Sequence, residues 1–80
     1  MKTVEHKTIL IVEDSGPLSR ELRDYFSVAN EVHAASTLEA ASEAVKNNAF
    51  DIILLDLILP DGSGLSLFEE IGADTPVVIL

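Results

Sequence analysis

Asp51-Ile52-Ile53-Leu54-Leu55-Asp56-Leu57-Ile58-Leu59-Pro60-Asp61-Gly62-Ser63-Gly64 is the stretch on which the fold of this 80-residue chain turns. Ile52 to Leu55 is a continuous apolar run of strand length, as expected where both faces of a parallel sheet are covered. Asp56 interrupts that run with a charge, and burying a carboxylate without compensation costs several kcal/mol or forces its protonation. A sequence under purely structural demands would avoid it. Pro60 to Gly64 reads as a turn, with the proline fixing one φ and the glycines permitting positive φ, so Pro60 and Gly64 are assigned structural roles. The bland reading of Asp61, as of Glu13-Asp14, is a solvated loop acid at a strand end.

Outward from this stretch, Ile9 to Val12 and Val77 to Leu80 repeat the pattern of short apolar blocks. Leu18, Leu22, Tyr25 and Phe26 follow a helical stripe whose start is marked by Ser15 as cap and by Pro17. Glu31 to Ala34 is a more polar block and is expected to form an edge strand. Ser36-Thr37-Leu38-Glu39 matches a capping box, with Ser36 as cap and Glu39 reaching back to it, opening a helix to about Lys46 that Asn47-Asn48 ends. A third helix is expected to carry Leu65, Phe68 and Ile71 on its apolar stripe. The order β-α-β-α-β-α-β implies right-handed crossovers and an α/β doubly wound parallel sheet.

A chain this short buries only roughly 60% of its unfolded surface, but 48% hydrophobic residues are enough for a packed interior. The formal net charge of −9 repels phosphate backbones and anionic lipid, so neither nucleic acid nor membrane is an expected partner. With no cysteine there is neither a disulfide framework nor a thiolate metal site. Met1 to Lys7 lacks the apolar stretch of a secretory signal and no run approaches the ~20 residues of a membrane span, so the expected location is cytoplasmic. No linker or repeat divides residues 1–80, which read as one module.

Ligands of such sheets bind beyond the carboxyl ends of the strands, where strand order reverses. Glu13 and Asp14 follow one apolar block and Asp56 follows another, so adjacent strands would gather three carboxylates. Their mutual repulsion calls for a cation, and an all-oxygen donor set suits a hard ion such as Mg²⁺. His6 and His33 have no partner at metal-ligand spacing and read as surface residues. Ser15 and Ser63 lack a histidine suited to activate them as nucleophiles.

Three segments carry a resemblance: Ile9-Leu10-Ile11-Val12-Glu13-Asp14-Ser15, the stretch Asp51 to Gly64, and Thr75-Pro76-Val77-Val78-Ile79-Leu80. Together they resemble the receiver domains of two-component response regulators, over nearly the whole chain. The resemblance implies a flavodoxin-like receiver fold with strand order 2-1-3-4, of which residues 1–80 would be the N-terminal portion. It further implies that Asp56 is the phosphoacceptor and that Asp14 binds Mg²⁺ directly. Glu13 would act through a metal-bound water, and the backbone carbonyl of Ile58 would complete the protein ligands. A histidine kinase or phosphotransfer protein would be the partner, and the receiver would promote its own phosphorylation without being a conventional enzyme.

Leu80 precedes the positions where the family carries its switch Thr or Ser and its phosphate-binding Lys. The last strand is therefore expected to be an exposed apolar edge that drives self-association into a dimer. The alternative reading is a non-switching scaffold that docks or dimerises. A haloacid-dehalogenase-type hydrolase would want an acid where Ile58 stands. A dinucleotide fold would want a glycine-rich loop where Glu13-Asp14-Ser15-Gly16 stands.

Overall fold

The computed structural model of the protein describes residues 6–80; the part of the N-terminal signal reading that falls on residues 1–5 lies outside them. Strands β1 (Thr8–Val12), β2 (Glu31–Ala35), β3 (Ile52–Leu55) and β6 (Val77–Ile79) form a four-stranded parallel sheet in the order β2-β1-β3-β6. This is the doubly wound arrangement expected, with β6 in the fourth place. Between β3 and β6 the chain makes a small antiparallel hairpin, β4 (Ile58–Leu59) with β5 (Gly62–Ser63).

Side chains of successive strand residues point to opposite faces, and the sheet uses both. Leu10, Val12, Ile53 and Leu55 join one buried cluster with Ala41, Leu59 and Leu67; Ile9, Ile11 and Leu54 form the other, covered by Leu22 and Phe26. Helix α1 (Gly16–Phe26) therefore lies on one face, while α2 (Leu38–Asn47) and the 3₁₀ helix Gly64–Glu69 lie on the opposite one. β2 is an edge strand, as its polarity implies. Two bonds pin the sheet at its lower end: Thr8 N–H donates to the Asp51 carboxylate at 2.8 Å, and Asp51 N–H donates to the Thr8 carbonyl at 2.8 Å.

Several local expectations are corrected. Ser15 does cap α1, accepting from Leu18 N–H, but Tyr25 is 75% exposed and stands edge-on to Phe26 instead of entering the core. The cap of α2 is Thr37, not Ser36: Thr37 has the extended backbone of a cap (φ −136°, ψ 161°) and its hydroxyl accepts from Ala40 N–H at 3.1 Å. No capping box closes: with Thr37 as cap the third helical position is Ala40, which has no carboxylate to reach back, and the Glu39 N–H expected to meet Ser36 donates to Asp61 instead. The third helix is a six-residue 3₁₀ helix, and its inward residues are Gly64 and Leu67, whereas Leu65 and Phe68 are exposed and Ile71 is half-buried.

Gly64 explains that change of phase. A Cβ there would stand 2.4 Å from the Asp56 carbonyl oxygen and 3.0 Å from Leu55 Cδ1, so the backbone at Gly64 lies directly against β3. At three residues per turn, Leu67 must then follow Gly64 inward. His33 is likewise not a free surface residue: it is half-buried, bonds Glu31 at 2.7 Å and meets Phe50 edge-to-face.

Candidate metal and phosphoryl site

The register of β1 decides what meets at the upper end of the sheet. Val12 is opposite Ala35 on one side and Leu55 on the other, and the ladder continues one step further through Glu13 N–H to Ala35 O (3.0 Å) and Asp56 N–H to Val12 O (2.9 Å). Glu13, Asp14 and Asp56 therefore leave neighbouring strand ends together. Each offers a carboxylate oxygen, and these oxygens lie within 4.8 Å of one another.

The three acids differ in environment. Glu13 is only 6% exposed, Asp56 is half-buried, and Asp14 is exposed. Glu13 Oε1 accepts from Ser15 N–H at 3.0 Å, a bond that turns the chain toward α1. Burial pushes the Glu13 carboxyl above its ordinary range; the Ser15 bond works against that, while the charges of Asp56 and Asp14 and a hydrogen bond with Asp56 add to it. No Lys or Arg of the described residues forms an ion pair with any of the three. Beside Glu13 and Asp14 a cleft of about 240 Å³ opens along α1, lined also by Arg20 and Arg23.

The loop that follows Asp56 is held from below. Ile58 N–H donates to Asp56 Oδ1 at 3.0 Å, Gly64 N–H donates to the Leu57 carbonyl at 2.9 Å, and Gly64 packs on Asp56 itself. The Ile58 side chain is 82% exposed at the rim. One polar residue of this loop was missed by sequence reasoning. Asp61 caps α2, with Oδ1 accepting from Leu38 N–H at 2.7 Å and Oδ2 from Glu39 N–H at 3.0 Å, and these bonds hold its carboxyl below the usual range. Its partners lie far off in sequence, so only the composition of the Pro60-Asp61-Gly62 turn could have hinted at it.

The donor set fits a hard divalent cation: all oxygen, no imidazole or thiolate, and a buried carboxylate left with like charges as neighbours.

Comparison with known proteins agrees with this geometry. The family model described as "Response regulator receiver domain" matches residues 9–80. The phosphate regulon transcriptional regulatory protein PhoB of Pseudomonas aeruginosa is 36% identical over 84 residues, covering 92% of this chain and 35% of PhoB. The transcriptional regulatory protein CiaR of Streptococcus pneumoniae is 33% identical, covering 90% of this chain and 34% of CiaR. The chain thus spans about a third of the length of the curated relatives it matches. Among solved structures, the non-phosphorylated HemR receiver domain from Leptospira biflexa superposes with a TM-score of 0.82 at 36% identity, covering 90% of this chain and 61% of that one.

Proposed function

The chain belongs to the family of response regulator receiver domains, and from that premise we propose that it accepts a phosphoryl group on Asp56 in a Mg²⁺-dependent reaction with a histidine kinase or phosphotransfer protein. The observation that carries the reading is the convergence of the Glu13, Asp14 and Asp56 carboxylates within 4.8 Å. Asp14 and Asp56 would hold the ion directly and Glu13 through a bound water, with the Ile58 carbonyl as a further ligand. When bound, the ion supplies the positive charge that lets a dianionic phosphoryl group approach an acidic cluster.

The residues of the chain do the rest. The Ile58 N–H holds one Asp56 oxygen, so the other is the atom that bonds to phosphorus as the donor's P–N or acyl P–O bond breaks. Gly64, packed on the Asp56 main chain, fixes the acceptor's distance from Glu13 and Asp14. In this reading the protein promotes its own modification, turns over no separate substrate and works in the cytoplasm; among the described residues no helix is long and apolar enough to cross a membrane.

A second reading, a docking or dimerising scaffold, draws support from β6, which pairs only with β3 and leaves Val78, Ile79 and Leu80 roughly half exposed. One experiment separates the two. The intact chain is incubated with acetyl phosphate, or with beryllofluoride, in the presence of Mg²⁺, and the adduct is sought by mass spectrometry and fluorine NMR. An adduct at Asp56 that requires Mg²⁺ and vanishes in Asp56→Asn is expected; no adduct in the wild-type chain would leave only the scaffold.

A further inference from the structure

The tip of the β4–β5 hairpin reaches across to the first residues of α2 and is held there by two different kinds of contact. The Asp61 carboxylate accepts from the Leu38 and Glu39 N–H groups at 2.7 and 3.0 Å. Next to it, Gly62 has φ +153°, and a Cβ on it would lie 2.9 Å from Leu38 Cδ2, so main chain and side chain are in direct apposition. Leu38 in turn packs against the main core cluster.

The start of α2 also touches the other acid-bearing loop, because β2 ends at Ala35, whose carbonyl accepts from Glu13 N–H at 3.0 Å. The segment Ala35 to Glu39 is therefore a strut, bonded at one end to the Glu13 loop and at the other to the hairpin that follows Asp56. The hairpin carries Ile58, whose N–H orients the Asp56 carboxylate. Among the described residues, the Asp61 bonds are the hydrogen bonds that tie the hairpin tip to a different element.

We propose that Asp61 is a positioning residue of the metal and acceptor site: by bonding the start of α2 it sets the hairpin so that Ile58 and Asp56 are presented to Glu13 and Asp14. The proposal rests on the metal-binding reading above and deepens it. Asp61 touches neither the ion nor the phosphoryl group, and acts through Ile58 N–H and the span of the strut. A carboxylate suits the task because its two oxygens meet two adjacent N–H donors at a helix start, where the helix dipole adds to the attraction. An amide side chain would offer one acceptor oxygen and would hold the tip by a single bond.

The test compares Asp61→Ala, Asp61→Asn and Thr37→Ala with the wild type in the full 80-residue chain. Thr37→Ala removes the other cap of the same helix, its bond to Ala40 N–H, and so weakens α2 without releasing the hairpin. Mg²⁺ affinity is measured by calorimetric titration, and exchange of the Ile58 amide proton by NMR in metal-free protein. Asp61→Ala should raise the Mg²⁺ dissociation constant several-fold, below the roughly 10- to 100-fold that follows loss of a group touching a ligand. Asp61→Asn should fall between Asp61→Ala and the wild type, and Thr37→Ala, which leaves the Asp61 bonds in place, should shift the constant less than Asp61→Ala does.

Ile58 exchange should be faster in Asp61→Ala than in Thr37→Ala. If Asp61→Ala and Thr37→Ala alter both readouts equally, or neither alters them, Asp61 is an ordinary helix cap and the proposal falls. A wild-type chain that binds no Mg²⁺ would defeat the metal reading instead, and the Ile58 exchange would still decide whether Asp61 positions the hairpin. Should Asp61→Ala fail to fold, the same readouts on Asp61→Asn decide the matter.

Discussion

The buried carboxylate of Glu13 and the half-buried carboxylate of Asp56 approach within 4.8 Å of one another, with no Lys or Arg of the described residues paired to either. Burial and the like charges beside it raise the pKa of the Glu13 carboxyl, and a cation between the groups would relieve that repulsion.

That relationship has a pH signature. The folded-state pKa of Glu13 lies above its ordinary value of 4.5, chiefly through burial, so the unfolded chain gives up this proton more readily than the folded one. The metal-free protein should therefore lose stability as pH rises from about 4.5 through the folded-state value, a loss absent in Glu13→Gln. Mg²⁺ at ten times its dissociation constant should restore about 1.4 kcal/mol near neutral pH. Urea titrations across pH, with and without Mg²⁺, check both signs; a metal-free profile identical to that of Glu13→Gln would contradict the account.

Gly64 has no room for a side chain. Gly64→Ala would place a methyl 2.4 Å from the Asp56 carbonyl oxygen, and because that neighbour is backbone the strand end must shift. A cost of about 1–3 kcal/mol is expected, of the size seen on overpacking a core. Because the displaced residue is the acceptor, the yield of the Mg²⁺-dependent Asp56 adduct should fall as well. Denaturant melts and adduct mass spectrometry measure the two effects, and a variant with normal values of both would show that the contact is slack.

The phase of the 3₁₀ helix predicts an unequal pair. Leu67 is fully buried and Leu67→Ala should cost about 2–5 kcal/mol, whereas Phe68, 44% exposed, should cost well under half as much in Phe68→Ala. Equal costs in denaturant melts would restore the stripe of Leu65, Phe68 and Ile71 that sequence periodicity suggests.

Among the described residues β6 pairs with β3 alone and exposes an apolar flank, and such edges recruit further strands. The chain is expected to self-associate, with Val78→Lys and Ile79→Lys shifting it toward monomer. Sedimentation at several concentrations reads this out, and a wild-type chain that is monomeric throughout would exclude pairing through β6.

The features legible in sequence were those set by near neighbours. The apolar runs Ile9 to Val12 and Ile52 to Leu55 announce buried parallel strands, and the acids placed just after them must meet once those strands are adjacent. Ser15 is recognisable as a cap because Pro17 and Leu18 follow it. What escaped depends on distant contacts or on fine geometry. Ser36 and Thr37 are chemically alike, and the backbone angles at Thr37 choose between them. The capping of α2 by Asp61 joins residues separated by the rest of that helix and by strands β3 and β4. The 3₁₀ helix follows from how closely Gly64 lies on Asp56, a steric fact without a local signature.

The direct parallel pairing of β1 with β3 has a kinetic corollary. Bringing these strands side by side requires closing the loop between Val12 and Ile52, an entropic cost that the local contacts of α1 and α2 do not carry. Glu13 and Asp56 are strangers until then. A chain in which only α1 or α2 has formed owns no cation pocket, so a divalent metal should stabilise the paired strands and leave the isolated helices untouched.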